Sequence, residues 1–378
     1  MGDSRFLVSL GSEISVKSKG TKRFFIEALW KHLGSRLGAC GYTFRVFPFG
    51  GRFLVETSEN ALHILKSQFG LSKVLRFLLL RDTGDLSFVE NLVPERPFTY
   101  VVYVDAVVPP WEKDEVMAFK KRTLARLKEL SERALGHWDN YPCERLELRI
   151  EAVKEGILVI YEQLEAPSGY PVGVGGRVLH LFSGGPDSVL SAILVARRGQ
   201  SVTLLFFDDG VEGRYQKVFS AAQKVAYFMP GMEVELLVVP YRDILNEIAR
   251  KVPSRAMCLF CKSTMLFIAS EIAEKLNAVA ISTGDILGEQ ASQTVFSIDF
   301  ISRFSNKLLL RPLLGMCKEE VFELLRTFGV KKTFSMPSCS WSPKRPFSKP
   351  EETLLSRFDV RNFVDRYTVD SVRVRALP

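Results

Sequence analysis

From residue 177 onward, short apolar runs alternate with stretches of helical periodicity. The apolar runs are RVLHLF, VTLLFF, VELLVV, AVAIS and KLLLRP. Runs of this length without an internal polar alternation are typical of strands that are buried on both faces, and the helical stretches between them provide crossover connections. The pattern therefore predicts an α/β domain built on a parallel sheet.

The first 168 residues follow a different pattern, in which apolar and polar positions alternate more often. It predicts a strand over residues 5–10, a helix over 21–37, a strand pair around Gly50 and Gly51, and a helix over 60–68. Strand patterns follow in VLRFLLL and FTYVVYVDAVV, then a long amphipathic helix over 113–135 and a hairpin that turns at 154–156. This part is predicted to be α+β.

Charge and turn residues suggest where the domains divide. Residues 1–75 hold 11 Lys and Arg against 5 Asp and Glu, whereas residues 76–168 hold 13 against 17. The segment 165–176 contains two prolines and four glycines, which is typical of a linker or turn. We therefore predict three domains, over residues 1–75, 76–168 and 169–378.

Composition narrows the class of protein. The 378 residues are 47% hydrophobic and 25% charged, which disfavours disordered, collagenous and disulfide-scaffold proteins. The first residues do not resemble a signal peptide, and no stretch is expected to reach the roughly 18–20 apolar residues of a membrane span. We therefore expect a soluble, cytosolic protein. The net charge of +8 slightly favours a polyanionic partner.

The most informative stretch is a buried-type strand, the turn Ser-Gly-Gly-Pro-Asp-Ser over residues 183–188, and a helix. Glycines let the backbone approach an anion, the hydroxyls of Ser183 and Ser188 add donors, and the helix N-terminus contributes free N–H groups. The loop lacks the ending of a Walker A motif and the spacing of a dinucleotide fingerprint. It is predicted to bind phosphate, with an ordinary glycine turn capped by Asp187 as the alternative.

This loop resembles the PP-loop of ATP pyrophosphatases, and three further segments extend the likeness. SEISVKSKGTKRFF, residues 283–294 and residues 311–320 are similar to segments of tRNA 4-thiouridine synthetases. The resemblance covers nearly the whole chain. It implies a ferredoxin-like N-terminal domain, a THUMP RNA-binding domain and a PP-loop ATP pyrophosphatase domain.

The resemblance also implies an ATP site and residues for adenylation. Asp187 would assist adenylation together with Mg²⁺, and Lys318 would act with it, although a solvated surface lysine is the alternative for Lys318. The implied ATP-binding residues are Leu181, Phe182, Ser183, Gly184, Gly185, Asp187, Ser188, Phe207, Lys262, Gly284 and Gln293.

Six cysteines in a cytosolic protein direct attention to sulfur or metal chemistry. Cys339 lies in a Met-Pro-x-x-Cys segment that resembles the one holding the family's catalytic cysteine, which carries a persulfide. Cys258 and Cys261 form a C-x-x-C pair, which alone fits zinc, iron–sulfur, redox or core cysteines. The resemblance implies that these three hold an iron–sulfur cluster, with a metal-free persulfide or disulfide relay as the alternative.

The other cysteines and the histidines carry no predicted chemistry. Cys40, Cys143 and Cys317 lack partners at ligand spacing, so we expect them to be core or incidental residues. The four histidines are scattered along the chain, and none suggests a catalytic base.

Two basic clusters are candidates for RNA contact. They comprise Lys17, Lys19, Lys22 and Arg23 near the first helix and Lys120, Lys121, Arg122 and Arg126 on the long helix. Such clusters bind phosphates through counterion release, although a charged helix face is more often simply solvated. The resemblance implies that these regions bind the tRNA acceptor end.

Together these features predict an ATP-dependent tRNA sulfurtransferase that converts uridine 8 of tRNA to 4-thiouridine. The uridine would be adenylated, with release of pyrophosphate and then AMP, and sulfur would arrive through Cys339 or the cluster. A cysteine desulfurase or free sulfide would supply the sulfur, and the resemblance implies a homodimer and a link to thiamine biosynthesis. The alternatives are another PP-loop enzyme and a non-catalytic RNA-binding protein.

Overall fold

A computed structural model describes residues 4–135, 143–331, 336, 339–349, 356–364 and 366–377. The chain forms two compact units. Unit 1 comprises Met1–Ser15 and Gly41–Ser168, and unit 2 comprises Val16–Cys40 and Gly169–Pro378.

Unit 1 is built on a seven-stranded sheet of order β2-β3-β1-β4-β7-β6-β5. All neighbouring strands are antiparallel except β5 and β6. Its strands are β1 (Ser4–Leu10), β2 (Phe44–Phe49), β3 (Arg52–Thr57), β4 (Leu71–Leu80), β5 (Phe98–Val107), β6 (Glu144–Val153) and β7 (Gly156–Glu165), and its helices are α1 (Ser12–Ser15), α3 (Leu62–Lys66), α4 (Phe88–Leu92) and α5 (Lys113–Leu135).

The long helix α5 covers part of this sheet. Val116, Phe119 and Leu127 are fully buried on it and share a hydrophobic cluster with Leu148 and Ile150 of β6. The helical spacing of these apolar positions predicted both the helix and its buried face. The hairpin between β6 and β7 turns where the sequence predicts it, with Val153 paired to Gly156.

Unit 2 is built on a six-stranded sheet of order β12-β11-β8-β9-β10-β13. Strands β8 to β12 run parallel, as the apolar runs predict. The strands are β8 (Arg177–Leu181), β9 (Ser201–Asp208), β10 (Glu233–Pro240), β11 (Ala280–Ser282), β12 (Leu308–Leu310) and β13 (Asp370–Arg375), and the helices are α2 (Lys19–Ala39), α6 (Pro186–Arg197), α7 (Arg214–Ala226), α8 (Arg242–Lys251), α9 (Met257–Lys275), α10 (Val295–Ser302) and α11 (Lys318–Thr327).

Strand β13 is antiparallel to β10 and was not predicted. Its sequence, DSVRVR, is mostly charged or polar, and only Val374 is fully buried. A strand at the edge of a sheet leaves one side open to solvent, so it does not need an apolar run. The mixed fold class is confirmed, with this edge strand as an addition.

Helix α2 belongs to unit 2 although it lies near the N-terminus. Arg36 on this helix is fully buried and donates from its guanidinium to the carbonyl oxygen of Tyr227 over 2.9 Å. Strand β4 runs through residue 75, within the sheet of unit 1. A division into two units does not test the predicted division into three domains at residues 75 and 168, which stays a prediction.

One apolar helix corrects an expectation from the sequence. Within the described part of the chain, Ser254–Lys275 is the one helical stretch that is long and apolar enough to cross a membrane by length and composition. In the structure 67% of its most apolar window is buried, and side chains such as Phe260 and Leu266 pack in the core of unit 2. Its apolar character is that of a core helix.

Candidate functional site

The predicted phosphate loop connects β8, in the interior of the parallel sheet, to α6. Gly184 adopts a φ of +76°, a conformation that side chains with a Cβ rarely adopt. A Cβ at Gly184 would also lie 3.0 Å from the Cα of Val218. The loop thus needs glycine here for two reasons, and it presents the N-terminus of α6 at the carboxyl end of the sheet, where α/β folds bind ligands.

A second glycine, Gly284, allows the backbone after β11 to pack closely against the loop. A Cβ on Gly284, just after β11, would lie 2.8 Å from the carbonyl carbon of Asp187 and 2.9 Å from the nitrogen of Ser188. Both are backbone atoms that cannot swing aside. Only glycine therefore lets the segment after β11 approach the start of α6 this closely.

The loop serines bond within the loop. The Ser188 hydroxyl donates to the carbonyl oxygen of Gly185 over 2.9 Å, and the Ser183 hydroxyl lies 3.3 Å from that of Ser188. Ser188 is only 4% exposed. In this arrangement Ser188 stabilises the turn, and the role of both hydroxyls as donors to an anion stays a prediction.

His180 of β8 supports the same turn. Its Nε2 lies 2.8 Å from the carbonyl oxygen of Ser188, and its Nδ1 lies 2.6 Å from the hydroxyl of Ser282. Burial lowers the pKa of His180 to about 4, so the ring is neutral at pH 7. Nε2–H therefore donates to the carbonyl, and Nδ1 accepts from Ser282. The sequence indicated only a buried histidine.

Asp187 and Lys318 meet at the head of the loop. Lys318 is the first residue of α11, and its Nζ lies 2.6 Å and 2.7 Å from the two carboxylate oxygens of Asp187. Both side chains remain partly exposed, at 25% for Asp187 and 34% for Lys318. Two residues separated by 131 positions in the chain are thus brought together as a charged pair that a ligand can still reach.

Asp285 links two further candidates, and sequence reasoning missed it. Its carboxylate lies 3.4 Å from Lys262 Nζ, 3.4 Å from Gln293 Nε2, 3.4 Å from Arg311 Nε and 2.7 Å from the hydroxyl of Thr283. Burial alone would raise the pKa of Asp285, but the surrounding cations and donors lower it. Asp285 therefore stays ionised and holds Lys262 and Gln293 on one carboxylate. The sequence could have indicated Asp285 through its position directly after Thr283 and Gly284, in a segment that resembles the family.

The remaining nucleotide candidates lie along β8 and β9. Phe182 and Phe207 are 2% and 8% exposed, and Phe207 packs edge-on against Tyr241, so these rings serve mainly the core. Leu181 pairs with Leu205 of β9 and is partly buried. Their backbones mark the carboxyl ends of two adjacent strands.

The three candidate cysteines form a separate region, which we call the thiol region. Cys258 and Cys261 lie in the first turn of α9, and Cys339 is exposed. Burial, followed by repulsion from the charges of Cys339 and Cys258, raises the pKa of Cys261 to about 12. Burial also raises the pKa of Cys258, although the nearby Ser342 lowers it in part. At pH 7 these two groups are thiols.

The predicted iron–sulfur cluster would use Cys258, Cys261 and Cys339 as its ligands. Among the described residues, no group of three or more His, Cys, Asp or Glu side chains is placed to hold a metal ion. A metal ion deprotonates the thiols that it binds, so the raised pKa values of Cys258 and Cys261 do not decide whether a cluster forms. The iron–sulfur cluster stays a prediction. Of the Met-Pro-x-x-Cys segment, only Met336 and Cys339 are among the described residues.

The two basic clusters lie on different units. Lys17, Lys19, Lys22 and Arg23 belong to unit 2, and Lys120, Lys121, Arg122 and Arg126 belong to unit 1.

Several of these cations already have partners. Arg23 pairs with Glu27 over 2.8 Å, and Arg126 pairs with Glu90 and Glu129. Arg122 donates to the carbonyl oxygen of Thr83 over 2.7 Å. RNA would have to compete with these contacts, so the exposed lysines are the stronger candidates.

Comparison with known proteins supports the resemblance drawn from the motifs. Residues 173–359, slightly under half of the chain, match the family model described as "Thiamine biosynthesis protein (ThiI)". A "Probable tRNA sulfurtransferase" of Brevibacillus brevis is 32% identical over 232 residues, which are 60% of this chain. The chain spans 58% of that relative's own length. The resemblance to this family is thereby confirmed.

Two solved structures share the fold. A 4-thiouridine synthetase in complex with RNA and ATP matches 98% of this chain and 100% of its own, with a TM-score of 0.75 and 24% identity. The protein PH1313 of Pyrococcus horikoshii Ot3 matches 87% of this chain and 100% of its own, with a TM-score of 0.56 and 17% identity. At these identities the likeness shows a common fold.

Proposed function

We propose that this protein is an ATP-dependent tRNA sulfurtransferase that forms 4-thiouridine at position 8 of tRNA. The observation that carries the proposal is the contact of Lys318 with Asp187, at 2.6 Å and 2.7 Å, at the head of a glycine loop on a parallel sheet. The similarity to a probable tRNA sulfurtransferase and the fold shared with a 4-thiouridine synthetase support it.

The loop and the Asp187–Lys318 pair would perform the first half of the reaction. ATP would bind with its phosphates at the N-terminus of α6, where N–H groups and the helix dipole favour anions. O4 of the uridine attacks the α-phosphorus, the bond to the β-phosphate oxygen breaks, and pyrophosphate leaves. Lys318 would stabilise the charge that develops on the phosphates, while Asp187 holds that ammonium group in place.

Lys262 and Gln293 would bind the nucleotide beside the phosphates, both held by Asp285. Mg²⁺ would enter with ATP as its complex, and the carboxylate of Asp187 is the kind of hard oxygen ligand that this cation prefers. The role of the pair therefore includes positioning the metal–nucleotide complex.

The thiol region would perform the second half. A cysteine desulfurase would load Cys339 by transferring the outer sulfur of its own persulfide to the Cys339 thiol, which leaves the desulfurase cysteine as a thiol. Free sulfide would load Cys339 only by cleaving a disulfide between Cys339 and a second thiol, which leaves that second thiol reduced. The terminal sulfur of the Cys339 persulfide attacks C4 of the adenylated uridine, and AMP leaves. The second thiol, for which we propose Cys258, then attacks the sulfur of Cys339. This step releases 4-thiouridine and leaves a disulfide that an external thiol reduces.

The family description suggests that the same sulfur transfer also serves thiamine biosynthesis. We place the reaction in the cytoplasm, where ATP and tRNA are available, and a homodimer is the assembly that we propose.

Thiolation of a tRNA transcript tests the proposal. The purified protein, supplied with ATP, a cysteine desulfurase, cysteine and a thiol reductant, should convert the transcript and release AMP and pyrophosphate. Asp187→Ala should abolish conversion and leave tRNA affinity within a few-fold of the parent. A protein that binds tRNA but never consumes ATP would instead be a non-catalytic RNA-binding protein.

A further inference from the structure

A segment of unit 2 crosses from the thiol region to the nucleotide candidates. It comprises residues 339–349, Cys-Ser-Trp-Ser-Pro-Lys-Arg-Pro-Phe-Ser-Lys, and we call it the strap. Near its start, Ser342 lies close enough to Cys258 to lower the pKa of that thiol. Near its end, the carbonyl oxygen of Ser348 accepts a hydrogen bond from the hydroxyl of Thr294 over 2.7 Å. Thr294 directly follows Gln293, so the strap spans both halves of the proposed site.

The middle of the strap is fastened as well. Arg255 donates from Nε to the carbonyl oxygen of Arg345 over 3.1 Å, and the backbone N–H of Phe347 donates to the carbonyl oxygen of Arg255 over 3.0 Å. The Arg255 guanidinium also lies 4.4 Å from the centre of the Phe347 ring. The strap is thus attached at its middle and at its end, and its exposed side chains have a fixed base.

Those exposed side chains are basic. The strap contains Lys344, Arg345 and Lys349 and no acidic residue, and all three are exposed. Within the described ranges, neither Lys344 nor Arg345 makes an ion pair. Cations that lack ion-pair partners in the described part of the chain favour a polyanion through counterion release.

An exposed aromatic ring stands beside these cations. Phe296, in the first turn of α10, is 53% exposed, and Lys349 Nζ lies 4.8 Å from the centre of its ring. Leaving a phenylalanine ring in water is unfavourable unless a partner covers it. Aromatic rings next to cations are what proteins use to stack an unpaired base while binding its phosphate.

We propose that the strap and Phe296 form an RNA contact surface on unit 2, which binds the unpaired nucleotides next to the target uridine. Phe296 stacks on a base, and Lys344, Arg345 and Lys349 contact phosphates. The inference rests on the proposed function and extends it. A uridine that reacts inside a crevice must leave its stack, and stacking a neighbouring base on Phe296 offsets part of that cost.

Charge reversal tests the phosphate contacts. In the full chain, the combined substitutions Lys344→Glu, Arg345→Glu and Lys349→Glu should weaken tRNA binding at least about tenfold. They should also reduce the magnitude of the slope of log affinity against log salt by about 2.1–2.7, because each of the three lost contacts is worth about 0.7–0.9. Lys275→Glu, an exposed lysine at the opposite end of α9, is the matched control and should change neither quantity.

Ring substitution tests stacking. Phe296→Ala should weaken tRNA binding at least about fivefold, whereas Phe296→Trp should keep the parental affinity, since stacking of one base is worth a factor of this size. Phe296→Leu separates stacking from general apolar contact and should behave like the alanine variant. ATP affinity should stay unchanged in all three, which verifies folding.

The outcomes separate the inference from the proposed function. If the parent thiolates tRNA and these variants bind tRNA as it does, the strap is not an RNA surface and the inference is wrong. If Phe296→Leu retains full affinity, the stacking role is wrong. If the parent binds tRNA with the predicted strap dependence but never thiolates it, the proposed function fails while the RNA surface stands.

Discussion

The phosphate loop and the thiol region lie in the same unit but are prepared for chemistry in opposite ways. At the loop, the charge of Asp187 is met by Lys318 at 2.6 Å, and the backbone is held by Gly284 and His180. At the thiol region, burial and neighbouring sulfurs raise the pKa of Cys261 to about 12 and thus keep its sulfur uncharged.

Under the proposed function, this difference assigns different requirements to the two proposed half-reactions. Charged groups fixed before the substrate arrives need no rearrangement to stabilise a phosphate, so we expect the proposed adenylation to proceed in the protein as it stands. Neutral thiols are poor nucleophiles, so we expect the proposed sulfur transfer to wait for a donor to load Cys339 or for a change at the thiol region. We therefore expect the two half-reactions to respond separately to mutation.

The largest effect should come from the ion pair at the loop. Lys318→Met removes the cation that we expect to stabilise developing phosphate charge, so pyrophosphate release should fall by about 10³-fold, or about 4 kcal/mol. Lys318→Arg should recover part of the rate. A rate for Lys318→Met that equals that of Lys275→Met, a control on an exposed lysine, would make Lys318 an ordinary surface residue.

The next effect concerns His180, which is neutral in the folded protein. Because its folded pKa of about 4 lies below the unfolded value of about 6.5, its contribution to stability is fully present above pH 6.5 and is lost as the pH falls toward 4. The contribution amounts to about 3 kcal/mol. Urea unfolding across this range should show the loss, and His180→Gln should reduce the pH dependence relative to the parent.

A smaller effect is expected at the glycine that touches the loop. Gly284→Ala places a Cβ 2.8 Å from backbone, so the loop must shift, and ATP should bind about tenfold more weakly, a change of about 1.4 kcal/mol. Gly315→Ala is the matched control, because a Cβ there meets nothing within 4 Å. Equal ATP affinity in the two variants, measured by titration, would argue against loop distortion.

The smallest effect concerns the thiol region, where the cysteines should differ in their reactivity toward an alkylating reagent. At pH 7.5, iodoacetamide should modify exposed Cys339 and leave Cys261 largely unmodified, as read by mass spectrometry of peptides. Modification of Cys261 should then speed up by about tenfold per pH unit, since only thiolate reacts. Rapid modification of Cys261 at neutral pH would mean that the thiol region already holds charged sulfur.

Much of the fold could be predicted because local patterns coincide with tertiary contacts. The five apolar runs became the parallel strands, and the predicted helix over 113–135 has the bounds of α5. Strand β13 was not predicted because most of its side chains are exposed at the edge of the sheet, so its sequence contains no apolar run. Helix α2 packs within unit 2 with Arg36 fully buried, and a pattern of apolar positions does not predict the burial of an arginine.

The site was predicted less completely, because several of its residues lie far apart in the sequence. The glycine loop is a continuous motif, so its residues could be found together. Asp285 acts through partners that are 8 to 26 positions away, and His180 acts through the carbonyl of Ser188 and the hydroxyl of Ser282, 102 positions away. The predicted roles of Asp187, Lys318 and Cys339 stay predictions.

A single turnover without a sulfur donor tests the central claim most directly. With ATP and tRNA, the parent and Cys339→Ser should both release pyrophosphate and accumulate adenylated tRNA, whereas Asp187→Asn should release none above background. Pyrophosphate release by Asp187→Asn at the parental rate, or its complete absence from the parent, would contradict the assignment of adenylation to this loop.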